Sequence, residues 1–180
     1  MNTPGSWEQL LGTPMPRDHV VLLYRDEAFL ARAMAHFLGT GLARGESAVV
    51  VATPAHAALF TGHLAAAGVG VRDLVQRQQL IVLDAEECLA QFMSDGTPDR
   101  AAFGVIVKGL LERIRAAGFA RVRLYGEMVD LLWDHNLKST LALEALWNEV
   151  IADQNLSLLC AYRIDNFDRN VHRGVLHRLG

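Results

Sequence analysis

The residues with most chemical content stand one step past short apolar runs. Tyr24, Arg25 and Asp26 follow His19-Val-Val-Leu-Leu23, and Thr53 and His56 follow Ala48-Val-Val-Val-Ala52. Asp84, Glu86 and Glu87 follow Leu80-Ile-Val-Leu83, Glu127 follows Leu124-Tyr125-Gly126, and Tyr162, Arg163 and Asp165 close Ser157-Leu-Leu-Cys-Ala161. Carboxylates outnumber cations here, with Arg25 and Arg163 as available partners. Tyr24, Arg25, Asp84, Glu127 and Tyr162 are the candidate ligand-binding residues. The two phenols can line a pocket, although tyrosines also pack at strand ends with a wet hydroxyl. Glu127 is the hardest to explain without a role, because a carboxylate ending a buried strand is costly unless paired or hydrogen-bonded. It can take a polar ligand, or join Asp84 in holding a cation through oxygens. It can equally be a structural carboxylate tying its strand to a helix N-terminus or to an arginine.

Other reactive types carry less. Cys160, between Leu159 and Ala161, reads as a small core hydrophobe, with no neighbouring base in the sequence to activate it. The histidines are His19, His36, His56, His63, His135, His172 and His177, and none makes the i, i+4 pair of a zinc-protease helix. His56 and His63 stand two helical turns apart, too far to share a metal. His19 opens the first apolar run, at the end opposite the expected pocket, and reads as structural. No metal and no cofactor is expected. There is no G-x-x-x-x-G-K-[ST] loop, no G-x-G-x-x-G and no G-x-S-x-G elbow. Tyr24-Arg25-Asp26-Glu27 stands where a phosphate loop belongs, and carboxylates at a helix N-terminus repel a phosphate.

The elements that must position these residues alternate regularly. Five apolar runs, at 19–24, 48–52, 80–84, 122–126 and 157–162, read as strands, the first of them buried on both faces. Asp26 caps a helix with Phe29, Leu30, Ala33, Met34, Phe37 and Leu38 on one face, closed by Gly45. Pro54 opens a second helix, Val71–Gln76 is a helical turn, and Ala85 starts a short helix. Thr97-Pro98 places a capping hydroxyl before a first-turn proline for a helix carrying Phe103, Val107, Leu111 and Ile114. Leu143, Leu146, Trp147 and Ile151 mark another. Strands alternating with helices mean an α/β fold of three layers, a mainly parallel sheet of five or more strands covered on both faces. Residues 1–17, with three of the five prolines, read as an extended arm with at most one turn near Trp7–Leu11, and 169–180 as a helical tail.

The 180 residues, 51% hydrophobic with a net charge of −3, exclude disorder and give no basic footprint for nucleic acid. No apolar run reaches a membrane span, no leader pattern opens the chain, and Cys88 and Cys160 are the only cysteines. A cytoplasmic domain is expected.

His19-x-x-x-x-Tyr24, then Phe37-Leu38-x-x-Gly41-Leu42-x-x-Gly45-Glu46, resembles the opening of the MEDS domain, a sensory domain named for methanogens, methylotrophs and a dichloromethane-responsive regulator. The likeness continues through Leu80–Ala85, Gly126-Glu127-Met128-Val129, Leu146-Trp147-Asn148-Glu149 and Leu158–Tyr162, covering residues 18–168. It implies a RecA/KaiC-like core without the phosphate loop, and a role in signal transduction through a histidine kinase or transcription regulator. It also implies that a homo-oligomer is plausible. No kinase or helix-turn-helix lies within these residues, so output is expected through a partner. The leading expectation is a non-catalytic sensor that takes an unidentified small molecule or a partner at the carboxyl edge of the sheet. A degenerate nucleotide-binding ATPase is the enzymatic alternative. A pure interaction module is the third, with apolar surface sought near His56, His63 and Trp147.

Overall fold

The computed structural model describes residues 7–133 and 136–164. A short helix, α1 (Trp7–Gly12), leads into β1 (His19–Tyr24), α2 (Glu27–Ala43), β2 (Ser47–Ala52), α3 (Pro54–Ala66) and α4 (Val71–Gln76). Then come β3 (Leu80–Asp84), α5 (Ala85–Phe92), a two-residue hairpin β4 (Met93–Ser94) and β5 (Thr97–Pro98), and α6 (Arg100–Ala116). The chain continues through β6 (Val122–Gly126), α7 (Met128–Trp133), α8 (Leu137–Asp153) and β7 (Leu156–Arg163). The main sheet is five-stranded and wholly parallel, in the order β1-β7-β6-β2-β3. One face packs on the α1–α4 side through Leu30, Met34, Phe37, Val50, Phe60 and Tyr125; the other packs on α5–α8 through Phe103, Leu111, Leu124, Met128, Trp147 and Tyr162. The fold is therefore the expected three-layer α/β sandwich.

Caps explain most helix starts. Asp26 accepts from the Ala28 N–H, and Thr53 caps α3 ahead of Pro54. The start of α6 differs from the sequence expectation. Thr97 and Pro98 are drawn into the hairpin, with the Thr97 hydroxyl donating to the Ser94 carbonyl, and Asp99 supplies the cap by accepting from Ala102 N–H. β1 is also not buried on both faces. It pairs with β7 alone, stands at the sheet edge, and is half-buried through Leu22 and exposed at Leu23, with only Tyr24 buried. Trp147 offers no exposed surface, being 2% exposed and edge-on to Phe103.

The segment before β1 carries a helix rather than only an extended arm. Leu11 and Gly12 are buried against α2, and their carbonyls accept from the fully buried Arg123 guanidinium. Arg123 Nε also bonds Glu46 Oε2 at 2.5 Å, and its Nη1 bonds Phe37 O at 2.8 Å and Thr40 Oγ1 at 2.9 Å. A Cβ on Gly41 would lie 2.5 Å from the Arg123 Cδ and Nε, so the glycine is what admits this side chain. Burial of the arginine is tolerated because its donors are satisfied. The expected helical tail at 169–180 lies outside the described residues, as do Asp165, His135, His172 and His177.

Candidate functional site

The strand order fixes where a ligand crevice can form. Strands β1, β2 and β3 connect across the α2–α4 face in one direction; from β3 the chain returns across the α5–α8 face to β6 and then β7. The directions diverge between β2 and β6, which is the switch point outside whose carboxyl ends α/β sheets bind ligands. Glu127, just past β6, and Thr53 and His56, just past β2, meet there. The Glu127 N–H donates to Val51 O at 3.1 Å, holding the two strand ends together.

Glu127 is 4% exposed and both its oxygens are occupied. Oε1 accepts from the Thr53 N–H; Oε2 accepts from the Tyr125 hydroxyl at 3.0 Å and faces His56 Nδ1 at 2.6 Å. The structural reading of Glu127 is thus realised, since it ties β6 to the N-terminus of α3. The arrangement continues outward. His56 Nε2 lies 3.4 Å from Glu27 Oε2 in the first turn of α2, and Glu27 Oε1 lies 3.4 Å from Arg163 Nη1 at the end of β7. Arg163 N–H donates to Asp130 Oδ1 at 3.2 Å. Four elements, α2, α3, β6 and β7, are linked through one line of alternating charge. Its inner end is buried, whereas Glu27 and Arg163 are 46% and 43% exposed.

The electrostatics favour a charged imidazole. The hydrogen bond to Glu127 raises the His56 pKa, burial opposes this, and the charges of Glu127 and Glu27 add to the rise. His56 stacks on Phe60 and meets the Tyr24 ring edge-on. Burial, then the charges of Asp130 and Glu127, push the Tyr24 phenol up, so it remains a donor. The arrangement can hold a proton between two carboxylates. It can also exchange its outer ion pairs for those of a bound polar group.

The other expected site residues separate. Arg25 is exposed beside this edge. Asp84 lies two strands from β6, where its Oδ1 accepts from the Glu86 and Glu87 N–H groups as the cap of α5, so it does not join Glu127 around a cation. Tyr162 faces the opposite side of the sheet from Tyr24, fully buried, with its hydroxyl donating to Glu144 Oε1 and its ring against Trp133. Tyr24 and Glu127 therefore share one site, and Tyr162 belongs to another neighbourhood. Sequence reading placed Thr53 and His56 on this rim but did not pair them with Glu127. It missed Glu27 and Asp130; the signal for Glu27 was its place in the turn after the first strand.

A wholly parallel α/β domain whose first strand runs into Asp26 and Glu27, instead of a glycine loop, defines a class without a phosphate cradle at that position. Residues 18–178 match the model of the MEDS family, the methanogen/methylotroph, DcmR sensory domain, and the chain belongs to that family. The match runs ten residues past the boundary at 168 expected from the sequence. No individual curated protein matches alongside it. The family is one of sensory domains. Among the described residues, no helix is long and apolar enough to cross a membrane.

Proposed function

We propose that this domain is a non-catalytic cytoplasmic sensor. It takes a small polar molecule, or a polar partner surface, on the switch-point edge and passes the change to a histidine kinase or transcription regulator. The single observation that carries this is the line Glu127–His56–Glu27–Arg163, closed at its buried end and half-exposed at its outer end. A ligand that engages Arg163 or Glu27 competes with the pairs holding α2 to β7, and so favours one arrangement of these elements over another. A signal requires that difference, because a ligand with equal affinity for two states shifts nothing. The carboxylates of Asp26 and Glu27 at the α2 N-terminus support reading the core as a RecA/KaiC-like relative that has given up the phosphate.

The test is NMR of the full chain while the small-molecule fraction of a cell extract is added. Expected first shifts are the His56 ring and the Thr53 amide. Shifts confined to the groove between α6 and α8, lined by Val107, Lys108, Arg115 and Glu149, would move the ligand off this edge.

A further inference from the structure

The opposite face of the sheet holds a second convergence of reactive groups. His19 and Cys160 stand diagonally on the edge strand β1 and its neighbour β7, in a register that sets His19 beside Leu158 and Val21 beside Cys160. Helix α8 lies over them and presents Glu144 and Asn148, one turn apart on one side. His19 Nε2 lies 3.4 Å from Cys160 Sγ and 3.3 Å from Glu144 Oε2. The ring's other nitrogen, Nδ1, lies 2.7 Å from Asn148 Oδ1. A carboxylate oxygen of Glu144, the imidazole nitrogen and the sulfur all lie within 4.8 Å of one another.

Two features single this cluster out. Glu144 is 2% exposed, and while its Oε1 is held by the Tyr162 hydroxyl, its Oε2 is buried with no hydroxyl or amide donor among the described residues and faces only the Cys160 thiol and the His19 nitrogen. A buried carboxylate oxygen whose only neighbours are a weak thiol donor and an imidazole nitrogen calls for an explanation. The second feature is spacing. Zinc–donor lengths of about 2.0–2.3 Å at the tetrahedral angle put neighbouring ligand atoms about 3.3–3.6 Å apart. The two separations from His19 Nε2, 3.3 and 3.4 Å, agree with that.

We propose that His19 Nε2, Cys160 Sγ and Glu144 Oε2 form a binding site for one borderline divalent transition metal, zinc(II) by the nitrogen–sulfur–oxygen donor set. Asn148, accepting from Nδ1–H, leaves Nε2 free to coordinate, and Tyr162 orients the carboxylate; both are the outer partners a metal site needs. Binding releases the thiol proton of Cys160 to solvent, so the ion sees a thiolate and a carboxylate. Three protein ligands leave a fourth position for water or a small oxygen- or sulfur-donor molecule. A nucleophile–base–orienter reading of Cys160, His19 and Asn148 fails on access. Cys160 is 1% exposed in mid-strand, closed to a substrate carbonyl, whereas an ion can enter past His19, whose side chain is 15% exposed.

The experiment is cobalt(II) and zinc(II) titration of the reduced full chain against a chromophoric chelator. Expected are equimolar binding and a thiolate-to-cobalt charge-transfer band, with band and tight binding lost together in Cys160→Ser and His19→Gln. Asn148→Ala retains the band but weakens affinity on the order of 10- to 100-fold, which keeps the test sharp should Cys160→Ser fold poorly. Absence of binding in the wild type overturns the proposal, as does cobalt binding without the band or binding unchanged in Asn148→Ala and His19→Gln.

Discussion

Glu127 and Glu144 are buried to the same degree on opposite faces of one sheet, and each meets a tyrosine hydroxyl and a histidine. They differ in what remains unpaired. Glu127 gives both oxygens to fixed donors, a backbone N–H among them, and reaches solvent only through His56 and Glu27. Glu144 gives one oxygen to Tyr162 and leaves the other without a hydroxyl or amide donor, beside only a weak thiol donor and an imidazole nitrogen. The first carboxylate is complete as protein and relays charge to an exposed rim; the second becomes complete on adding a cation. Equal burial thus does not imply equal roles, and the count of satisfied lone pairs separates them.

The largest effect that tests this contrast is truncation. Glu127→Ala strips partners from an imidazolium, a phenol and a backbone N–H at once, and is expected to cost about 3–5 kcal/mol in urea unfolding. Glu144→Ala in metal-free protein leaves one hydroxyl unpaired and is expected to cost about 1–3 kcal/mol. Equal losses would break the comparison. The amide variants sharpen it. Glu127→Gln removes charge-assisted bonds and should cost about 1.5–3 kcal/mol, while Glu144→Gln, which keeps an oxygen for Tyr162, should cost about 1 kcal/mol or less by thermal unfolding.

The pH response is smaller and has a definite sign. His56 has its pKa raised in the fold, so its contribution to stability is full below the ordinary value of about 6.5 and is lost as pH rises through the raised native value. NMR titration is expected to place the His56 midpoint above 6.5, and Glu127→Gln is expected to lower it, since the bond to Glu127 is the largest cause. Glu27→Gln has the smallest effect expected, about 0–1 kcal/mol on stability, because its pair with Arg163 is half in solvent. A large loss there would mean that the rim is structural and not a surface for exchange.

The sheet was readable because its strands are short apolar runs with caps at fixed places, Asp26 and Thr53 among them. Glu127 was readable from the cost of a carboxylate at a strand end. Its partner was not, because His56 is 71 residues away and only the pairing of β2 with β6 brings the two together. The same holds more strongly for His19, 141 residues from Cys160. Spacing along the chain can test ligand pairs on one helix, and it excludes His56 with His63, but it does not show a cluster assembled from two paired strands and a helix. Tyr162 was misassigned to the rim because strand alternation decides the face, and a one-residue difference in register sends a side chain to the other layer. Asp84 was read as a possible ligand group and instead caps its own helix, a use of aspartate that sequence shares with sites.

The central claim, that the switch-point edge is where this sensory domain takes its ligand, is tested most directly by native mass spectrometry of the gently purified chain beside an Arg163→Ala, Glu27→Gln variant. The expected result is an organic mass on the wild type that is released on denaturation and missing from the variant. A mass retained equally by both would contradict it, whereas one matching ADP or ATP would overturn the separate reading of a core that has given up the phosphate.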